Sequence, residues 1–591
     1  MTRTRRYSGA AIALALFAGA CAGGDDDDTA APPVTDASTV APPAGSDEPA
    51  APTPAPSEAP ADTRDPVVVT LPPDTTPDRV SGGTFRYGLN AEIDALNPTN
   101  SALTAAPGLA MAAAVFDKLA EFTPDGKPVP YLAESFTPNA EFTEWDVRLR
   151  DGVLFHDGTP LDAEAVRYNF AAQYESTLVG LALKTSYSGP EAAEVIDPLT
   201  VRFHLLEPNA TWPSVMASQL GMIASPTWVE AAIVDPTLNQ QPVGTGPFKF
   251  VSRSEDSLTV FERNDDWWNG DVYLDRIEFR PILEGAAAAD LLRNGDLDGF
   301  HTVSPEVIAD FRGNDDFVQM ENDASDESFV MMNASLPPFD DIRVRQALTY
   351  ATPRASYIAL IGLGVVRGAD QMFIPESPYH NPAVVQEADD PARAAELVAE
   401  YCAERGAETN PITGTPVCTN GKVNIEYQTS GPSVLLTRLG DLLIEGWNVA
   451  FNVDRQELLQ DSHILEAALG QYNSVIWQGF AAPDPMMEGV WLSCRSIGDL
   501  SLNFPRNCDE ARDARWLEAV ATLDEPTRVA AYQEIMQMIH DAYTYVFLTH
   551  TMWAHVLSPQ VHGVCDRTSP EGVALACAQS GTIWPATIWL G

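Results

Sequence analysis

The sequence is poor in basic residues. Its 591 residues include 35 Lys and Arg against 83 Asp and Glu, which gives a formal net charge of −48. Because phosphate backbones and anionic lipid repel so acidic a chain, we expect no nucleic-acid partner. The acidity also keeps a protein in solution, so it does not by itself identify a ligand.

Sequence motifs of common enzymes are missing as well. There is no Gly-x-Ser-x-Gly elbow, no His-Glu-x-x-His pair and no phosphate-binding loop of the Walker type. His550 and His555 lie five positions apart in an expected strand, which would place them on opposite faces. We therefore expect no metal, no cofactor and no catalytic activity, although the acidic residues are too numerous to exclude a glycosidase-like carboxylate pair. No fixed-period repeat occurs, which disfavours solenoids and propellers.

The start of the chain reads as a targeting signal. Arg3, Arg5 and Arg6 precede an apolar run over residues 10–18 that is too short to span a bilayer, so residues 1–20 are predicted to be a signal peptide. The run ends in Ala18-Gly19-Ala20-Cys21, which resembles the lipobox of bacterial lipoproteins and implies a lipid on Cys21. Cleavage after Ala20 with release of the protein is the alternative. Residues 21–80, rich in Pro, Ala and Asp, are predicted to form a disordered tether behind that cysteine.

Cysteine is scarce, with seven in the chain. Without Cys21, six remain, and they fall into three pairs that are close in sequence. An even number in an oxidising compartment indicates disulfides, but sequence cannot choose among 15 connectivities. We favour pairing between neighbours, and none of the pairs has the Cys-x-x-Cys spacing of a zinc site. The six are Cys402, Cys418, Cys494, Cys508, Cys565 and Cys577.

The folded body is predicted to begin near residue 81 and to be of the α/β class. Phe85, Tyr87 and Leu89 alternate with small or polar residues, as in a strand. Helical spacing of apolar residues predicts helices after Asp162, over 456–469 and over 526–542, and the last two are each followed by a strand. Alternating helices and strands are typical of α/β lobes.

Several short motifs stand in a fixed order along the chain and together resemble the extracellular solute-binding proteins of the oligopeptide, dipeptide and nickel ABC importer family, known as family 5. The match runs over roughly residues 82–565. The motifs are Ala95-Leu96-Asn97-Pro98, Tyr131-Leu132-Ala133-Glu134-Ser135-Phe136, Leu149-Arg150-Asp151-Gly152, Asp157-Gly158-Thr159-Pro160, Gly244-Thr245-Gly246-Pro247, Arg263-Asn264-Asp265-Asp266-Trp267-Trp268 and Pro337-Pro338-Phe339-Asp340-Asp341-Ile342-Arg343-Val344-Arg345.

The resemblance implies a two-lobed clam-shell of the periplasmic-binding-protein type (type II, cluster C). The first lobe would comprise residues 81–122, 238–340 and 547–591, with a subdomain inserted at 123–237. Residues 341–546 would form the second lobe. Two chain crossings between the lobes would then act as a hinge, and a ligand that contacts both lobes would favour the closed form.

The stretch from Trp477 to Pro485 is the best candidate for ligand contact because it follows a predicted strand, where open α/β sheets place their ligands. Trp477, Gln478, Phe480 and Asp484 are its predicted ligand-binding residues. Peptide-binding relatives have an aspartate for the peptide amino terminus at the position that is Ala481 here, so this chain departs from that pattern.

Asp484 lies between two prolines and could instead belong to a structural turn, and Trp477 could instead pack in the lobe core. His301 and Glu92 are further candidates for ligand contact.

The resemblance further implies a monomeric lipoprotein on the outer face of the bacterial cytoplasmic membrane, or in the periplasm. The lipid would be its only attachment to the membrane. It would capture a peptide or similar small solute and pass it to ABC permease subunits. A ligand sensor for a membrane receptor and, further off, a secreted hydrolase are the alternatives. The identity of the ligand stays open at this point, because one fold serves many ligands.

Overall fold

The structure is a computed structural model that describes residues 79–591, apart from residues 102, 104, 178, 324, 325, 432 and 481. The predicted signal peptide, Cys21 and all but the last two residues of the predicted tether lie outside the described residues, and so does Ala481. None of the helices within the described residues is long and apolar enough to cross a bilayer.

The helices are distributed along the whole of the described chain, and most begin at a side chain that caps the first turn. Asp162 was predicted to start a helix, and its carboxylate accepts a hydrogen bond from the Ala165 N–H at 2.9 Å. The helices are α1 Ala106–Val115, α2 Ala163–Glu175, α3 Gly180–Leu183, α4 Pro226–Val234, α5 Gly285–Arg293, α6 Pro305–Phe311, α7 Ile342–Ala351, α8 Arg354–Leu360, α9 Pro391–Arg405, α10 Val434–Trp447, α11 Gln460–Leu469, α12 Gly489–Leu492, α13 Glu510–Val520 and α14 Glu525–Ala542.

Among the residues that the structure describes, the strands form two large sheets, a smaller one and three short ribbons. They are β1 Thr84–Leu89, β2 Ala120–Phe122, β3 Pro128–Pro130, β4 Ala133–Pro138, β5 Glu144–Leu149, β6 Ala193–Asp197, β7 Thr200–His204, β8 Phe248–Ser254, β9 Leu258–Arg263, β10 Arg276–Pro281, β11 Gly299–Thr302, β12 Val318–Asn322, β13 Glu327–Met332, β14 Arg367–Gly368, β15 Cys418–Thr419, β16 Lys422–Ser430, β17 Phe451–Leu458, β18 Ser474–Gly479, β19 Tyr545–His550, β20 Trp553–Leu557, β21 Val561–His562, β22 Ala578–Gln579, β23 Thr582–Ile583 and β24 Trp589–Leu590.

The first large sheet has seven strands in the order β12-β20-β11-β1-β10-β9-β8. The strand β1 runs parallel to both β10 and β11, and β20 returns from the far end of the chain to pair antiparallel with β11 and β12. Residues that are hundreds of positions apart therefore meet in one sheet, as expected for a lobe built from separated segments.

The second large sheet has the order β14-β19-β13-β18-β16-β15, and β17 pairs with β16. The strand β13 pairs with β18 and β19 on its two sides, so the chain leaves the first sheet before residue 327. The predicted lobe boundaries at 340/341 and 546/547 placed β13 and most of β19 with the first lobe. In the structure both strands belong to the second sheet.

Both faces of the second sheet are covered, which explains the apolar composition of its central strand. Alternate side chains of β13 point to opposite faces, and Val330 and Met332 join one buried cluster whereas Phe329 and Met331 join another. Strands that are buried on two sides carry continuous apolar runs rather than an alternating pattern.

Residues 123–237 contain the four-stranded antiparallel sheet β4-β5-β7-β6. This sheet has its own buried cluster, in which the rings of Trp145 and Trp212 stack at 5.7 Å. A separate sheet and a separate core fit the subdomain that was predicted at this place.

The glycines of two of the family motifs serve different purposes. Gly158 has φ of +82°, a conformation that favours glycine, as expected for a turn. Gly244 and Gly246 instead allow a close approach of two backbones. A Cβ on Gly244 would lie 2.1 Å from the Val115 carbonyl oxygen, at the end of α1.

One predicted helix is shorter than expected and another agrees closely. The helix predicted over 456–469 begins only at Gln460, because Gln456 to Leu458 pair with Gln428 to Ser430 as the end of β17. The helix predicted over 526–542 is observed as α14.

The six cysteines in the described range form three disulfides, each between neighbours in sequence, so the favoured local pairing is confirmed. The bonded pairs are Cys402–Cys418, Cys494–Cys508 and Cys565–Cys577.

Candidate functional site

Within the part of the chain that the structure describes, two connections join the two large sheets, and these crossings lie side by side. The first lies between the end of β12 at Asn322 and the start of β13 at Glu327, and the second between the end of β19 at His550 and the start of β20 at Trp553. The Thr551 N–H donates to the Asp326 carbonyl oxygen at 2.7 Å. The two crossings are therefore hydrogen-bonded to each other.

Gln478, a predicted ligand-binding residue near the end of β18, lies at these crossings. Its side-chain amide donates to the Asp326 carboxylate and to the Thr551 hydroxyl, the latter at 3.2 Å. The Trp553 indole N–H donates to the other oxygen of Asp326 at 2.8 Å. One exposed side chain of the second sheet thus contacts both crossings.

Trp477, on β18, is half-buried. Its ring stacks on the His463 ring with centroids 5.2 Å apart, and the Phe504 ring meets it edge-on at 5.0 Å. Trp477 therefore has ring partners on its own lobe and keeps a part of its surface for other contacts.

Phe480 follows β18 and is packed into the core of the second lobe, where its exposed fraction is 8%. Its ring stacks on Phe329 at 5.2 Å and also contacts Tyr545 and Phe547. The backbone of Phe480 has φ of +66°, which is costly for a bulky residue and is held here by the surrounding packing. Phe480, which was predicted to contact a ligand, thus anchors the end of the strand in the core.

Asp484 acts within a turn. Its carboxylate accepts from the Met486 N–H at 3.0 Å, which caps the short helical turn Pro485–Glu488, and it forms an ion pair with Arg528 at 2.6 Å. The Ser214 hydroxyl also donates to it at 3.3 Å. Because both carboxylate oxygens have protein partners, the turn interpretation accounts for this residue.

Ser214 belongs to a segment of residues 123–237 that docks onto the second lobe. The Ala210 N–H donates to the Val520 carbonyl at 2.7 Å, and Arg495 forms an ion pair with Glu207 at 2.5 Å.

A further ion pair joins Arg438 on α10 to Glu306 on α6 at 2.9 Å. The two halves of the body are therefore in direct contact at places other than the crossings.

His301 and Glu92 lie on the first-sheet side. Gly581 accepts a hydrogen bond from His301 Nδ1 at 2.6 Å, and the Asn90 N–H donates to Nε2 at 3.0 Å, which fits one neutral tautomer. Burial lowers the pKa of His301 to about 4, so the ring is neutral at pH 7. Glu92 accepts from Arg253 at 2.8 Å. Both predicted residues are thus engaged by neighbours in their own lobe.

Three buried carboxyl groups beside the crossings were not predicted from the sequence. We call Asp326, Glu327 and Glu488 the acid cluster. Glu327 is 1% exposed and Glu488 is 3% exposed. Burial raises the pKa of Glu488 to about 7, with a contribution from the charge of Asp326, and burial raises the pKa of Glu327 well above its usual range. Several acidic residues precede β13 in the sequence, but an acidic run usually lies on a solvated surface, so these residues did not indicate a buried cluster.

His550 and His555 lie in different sheets rather than on two faces of one strand. His550 Nδ1 is 3.0 Å from Glu327 Oε1, and His555 Nδ1 is 2.6 Å from the Tyr87 hydroxyl. Among the residues that the structure describes, no group of three or more His, Cys, Asp or Glu side chains is arranged to hold a metal ion.

Comparisons with known proteins point in one direction. A family model described as bacterial extracellular solute-binding proteins, family 5 middle, matches residues 127–496. Di/tripeptide-binding protein 2 of Pseudomonas aeruginosa is 26% identical over 481 residues, which cover 77% of this chain and 87% of that protein. The nickel-binding periplasmic protein of Escherichia coli is 23% identical, with 76% and 86% covered.

A solved structure supports the fold. The ABC transporter-associated periplasmic binding protein DppA from Helicobacter pylori, in complex with the peptide STSA, superimposes with a TM-score of 0.74 at 19% identity. The match covers 86% of this chain and 98% of that one. The prediction of a two-lobed α/β binding-protein fold is confirmed.

Proposed function

Because the chain belongs to family 5 of the bacterial extracellular solute-binding proteins, we propose that it captures a peptide or similar small solute between its two lobes and delivers it to an ABC importer. The observation that carries the proposal is the pair of hydrogen-bonded crossings. Gln478, from the predicted ligand-binding stretch, donates hydrogen bonds to both of them. A ligand held there contacts both lobes only when they close, so binding and closure are coupled.

The lobes divide, in this proposal, at the crossings 323–326 and 551–552, and residues 123–237 form a subdomain of the first lobe. Trp477 and Gln478 contact the ligand directly, whereas Phe480 and Asp484 position their stretch, and His301 and Glu92 support the first-lobe wall.

Peptides are the favoured ligand class, because the relatives include a di/tripeptide-binding protein and a neighbour solved with a bound peptide. Solutes leave the protein chemically unchanged. A lipid on Cys21 keeps the protein at the outer face of the membrane, close to the permease subunits, and the protein works as a monomer.

Native mass spectrometry of the purified protein tests this function. We expect a bound small molecule of constant mass that is released on denaturation and rebinds unaltered. Deleting the gene should abolish uptake of that compound by whole cells. Conversion of the compound by the purified protein, or normal uptake in the deletion strain, would contradict the proposal.

A further inference from the structure

Residues 123–237 are held to the first lobe by buried hydrogen bonds. The Gln219 side-chain amide is buried and donates to two carbonyl oxygens in the loop before α1, at 3.0 and 2.8 Å. The buried Lys118 ammonium donates to the Ala217 carbonyl oxygen at 2.9 Å. Breaking buried hydrogen bonds is costly, so we expect this subdomain to move with the first lobe.

Residues 207–214, which we call the latch segment, join the same subdomain to the second lobe. The Ala210 N–H donates to the carbonyl oxygen of Val520, the last residue of α13, at 2.7 Å, and the Ser214 hydroxyl donates to Asp484 at 3.3 Å. Ala210 is 3% exposed and Ser214 is 0% exposed. The contact between the two parts is therefore closed to water.

The latch segment contacts the end of the stretch that was predicted to bind the ligand. Besides the bond to Asp484, the Asn209 side-chain amide lies 3.3 Å from the Met486 sulfur. The side chain of Met487 packs against the buried cluster of the subdomain. The chain that continues from β18 is thus held between the core of the second lobe and the subdomain.

We propose that the latch segment holds the two lobes closed and is released when they open, so that the inserted subdomain sets the balance between the open and closed forms. The inference rests on the proposed function and adds to it a conformational role for the subdomain. A rotation about the crossings must break contacts that the lobes make elsewhere. The free energy of these contacts favours the closed form, and a solute that binds the closed form then binds more tightly.

Two exposed ion pairs between the lobes offer a way to change this balance. Glu207 of the latch segment pairs with Arg495 at 2.5 Å, with side-chain exposures of 40% and 49%. Arg438 on α10 pairs with Glu306 on α6 at a different place. Exposed pairs contribute little to folding, so their charges can be reversed without unfolding the protein. Each reversal replaces an attraction between the lobes with a repulsion.

The test measures how often the latch segment separates from the second lobe. The full chain carries Cys21→Ala and Ser214→Cys, so that one free thiol is present beside the three disulfides. The protein is freed of bound solute, and the rate of maleimide labelling is read by intact-mass spectrometry. Ser474→Cys is the matched control, because Ser474 is equally buried but lies within the second lobe on β18. The thiol of Ser214→Cys should be labelled at least about tenfold faster than that of Ser474→Cys.

Charge reversal then tests whether this labelling reports the opening of the lobes. Glu207→Arg should raise the labelling rate of Ser214→Cys about threefold, and adding Arg495→Glu should restore the original rate. Arg438→Glu should raise the same rate by a similar factor, because both contacts break in one opening of the lobes. Arg393→Glu, which reverses an exposed pair within α9, should leave the rate unchanged.

Two results would overturn the proposal. Equal labelling of Ser214→Cys and Ser474→Cys would show a contact that does not open. An effect of Glu207→Arg without an effect of Arg438→Glu would show local fraying of one loop. If Ser214→Cys fails to fold, Ala210→Cys takes its place with the same expectations. Neither result bears on the uptake of a solute by cells, so failure of the latch would leave the transport function standing.

Discussion

The Asp484–Arg528 ion pair is buried on both sides, with side-chain exposures of 7% and 11%. Removing one partner from a buried pair leaves an uncompensated charge. We expect Arg528→Ala to lower the free energy of unfolding by about 3 to 5 kcal/mol in urea titrations. Arg393→Ala, which breaks an exposed pair with Glu396, should cost about 0.5 kcal/mol or less. Similar losses in the free energy of unfolding for the two variants would show that the buried ion pair contributes no more to stability than the exposed one.

Glu488 should make stability depend on pH. Its pKa is about 7 in the folded protein against an ordinary 4.5, because burial disfavours the ionised form. Between these values the folded state binds more protons than the unfolded state, so stability falls as pH rises. The decline should reach on the order of 1 to 3 kcal/mol by pH 7.

Glu488→Gln cannot ionise at this position, so the variant should lose this part of the decline. Melting temperatures recorded for both proteins from pH 5 to pH 8 measure the difference. A constant gap between the two proteins over that range would contradict a raised pKa in the folded state.

Individual residues of the site were only partly predictable from the sequence. Gln478 was predicted to contact a ligand because it follows a recognisable apolar strand pattern in a stretch that the family resemblance marks, and it lies at the two crossings. The burial of Phe480 could not be predicted, because it depends on three rings from β13 and β19 that lie more than 60 positions away in sequence. The acid cluster depends in the same way on Glu327 and Glu488, which only the sheet pairing brings together.

At the scale of elements, the disulfide Cys402–Cys418 ties the end of α9 to β15 across 16 positions. A loop of this length should contribute about 3 kcal/mol by restricting the unfolded chain. The double variant Cys402→Ala, Cys418→Ala should unfold at a correspondingly lower urea concentration. Reduction of the wild type should lower its midpoint further than it lowers the midpoint of this variant, since the variant has one disulfide fewer to lose.

Elements with strong local signals were predictable, and those decided by distant partners were not. Helix α14 has an unbroken apolar face and a capping aspartate, and its predicted bounds agree with the structure. The start of α11 was predicted too early. Residues 456–458 fit a helical pattern, but they pair in parallel with β16 as the end of β17. The predicted boundary at 340/341 grouped β13 with the first lobe because its sheet partners lie about 150 to 220 positions further along and leave no local signal.

At the scale of the whole molecule, the predicted anchor can be tested directly. We expect Cys21→Ala to remove lipid labelling of the protein in growing cells and to shift it from the membrane fraction to the soluble fraction. The variant should keep its solute affinity, because the body that begins near residue 81 is unchanged. Retention of the variant in the membrane fraction would refute the lipid as the anchor.

The Gln478 amide has a mechanical consequence. Because it touches Asp326 in one crossing and Thr551 in the other, neither connection can bend without disturbing the other. We therefore expect the two crossings to move together when the lobes rotate relative to each other. In the proposed function, we therefore expect closure on a solute to move both crossings in one step rather than one after the other.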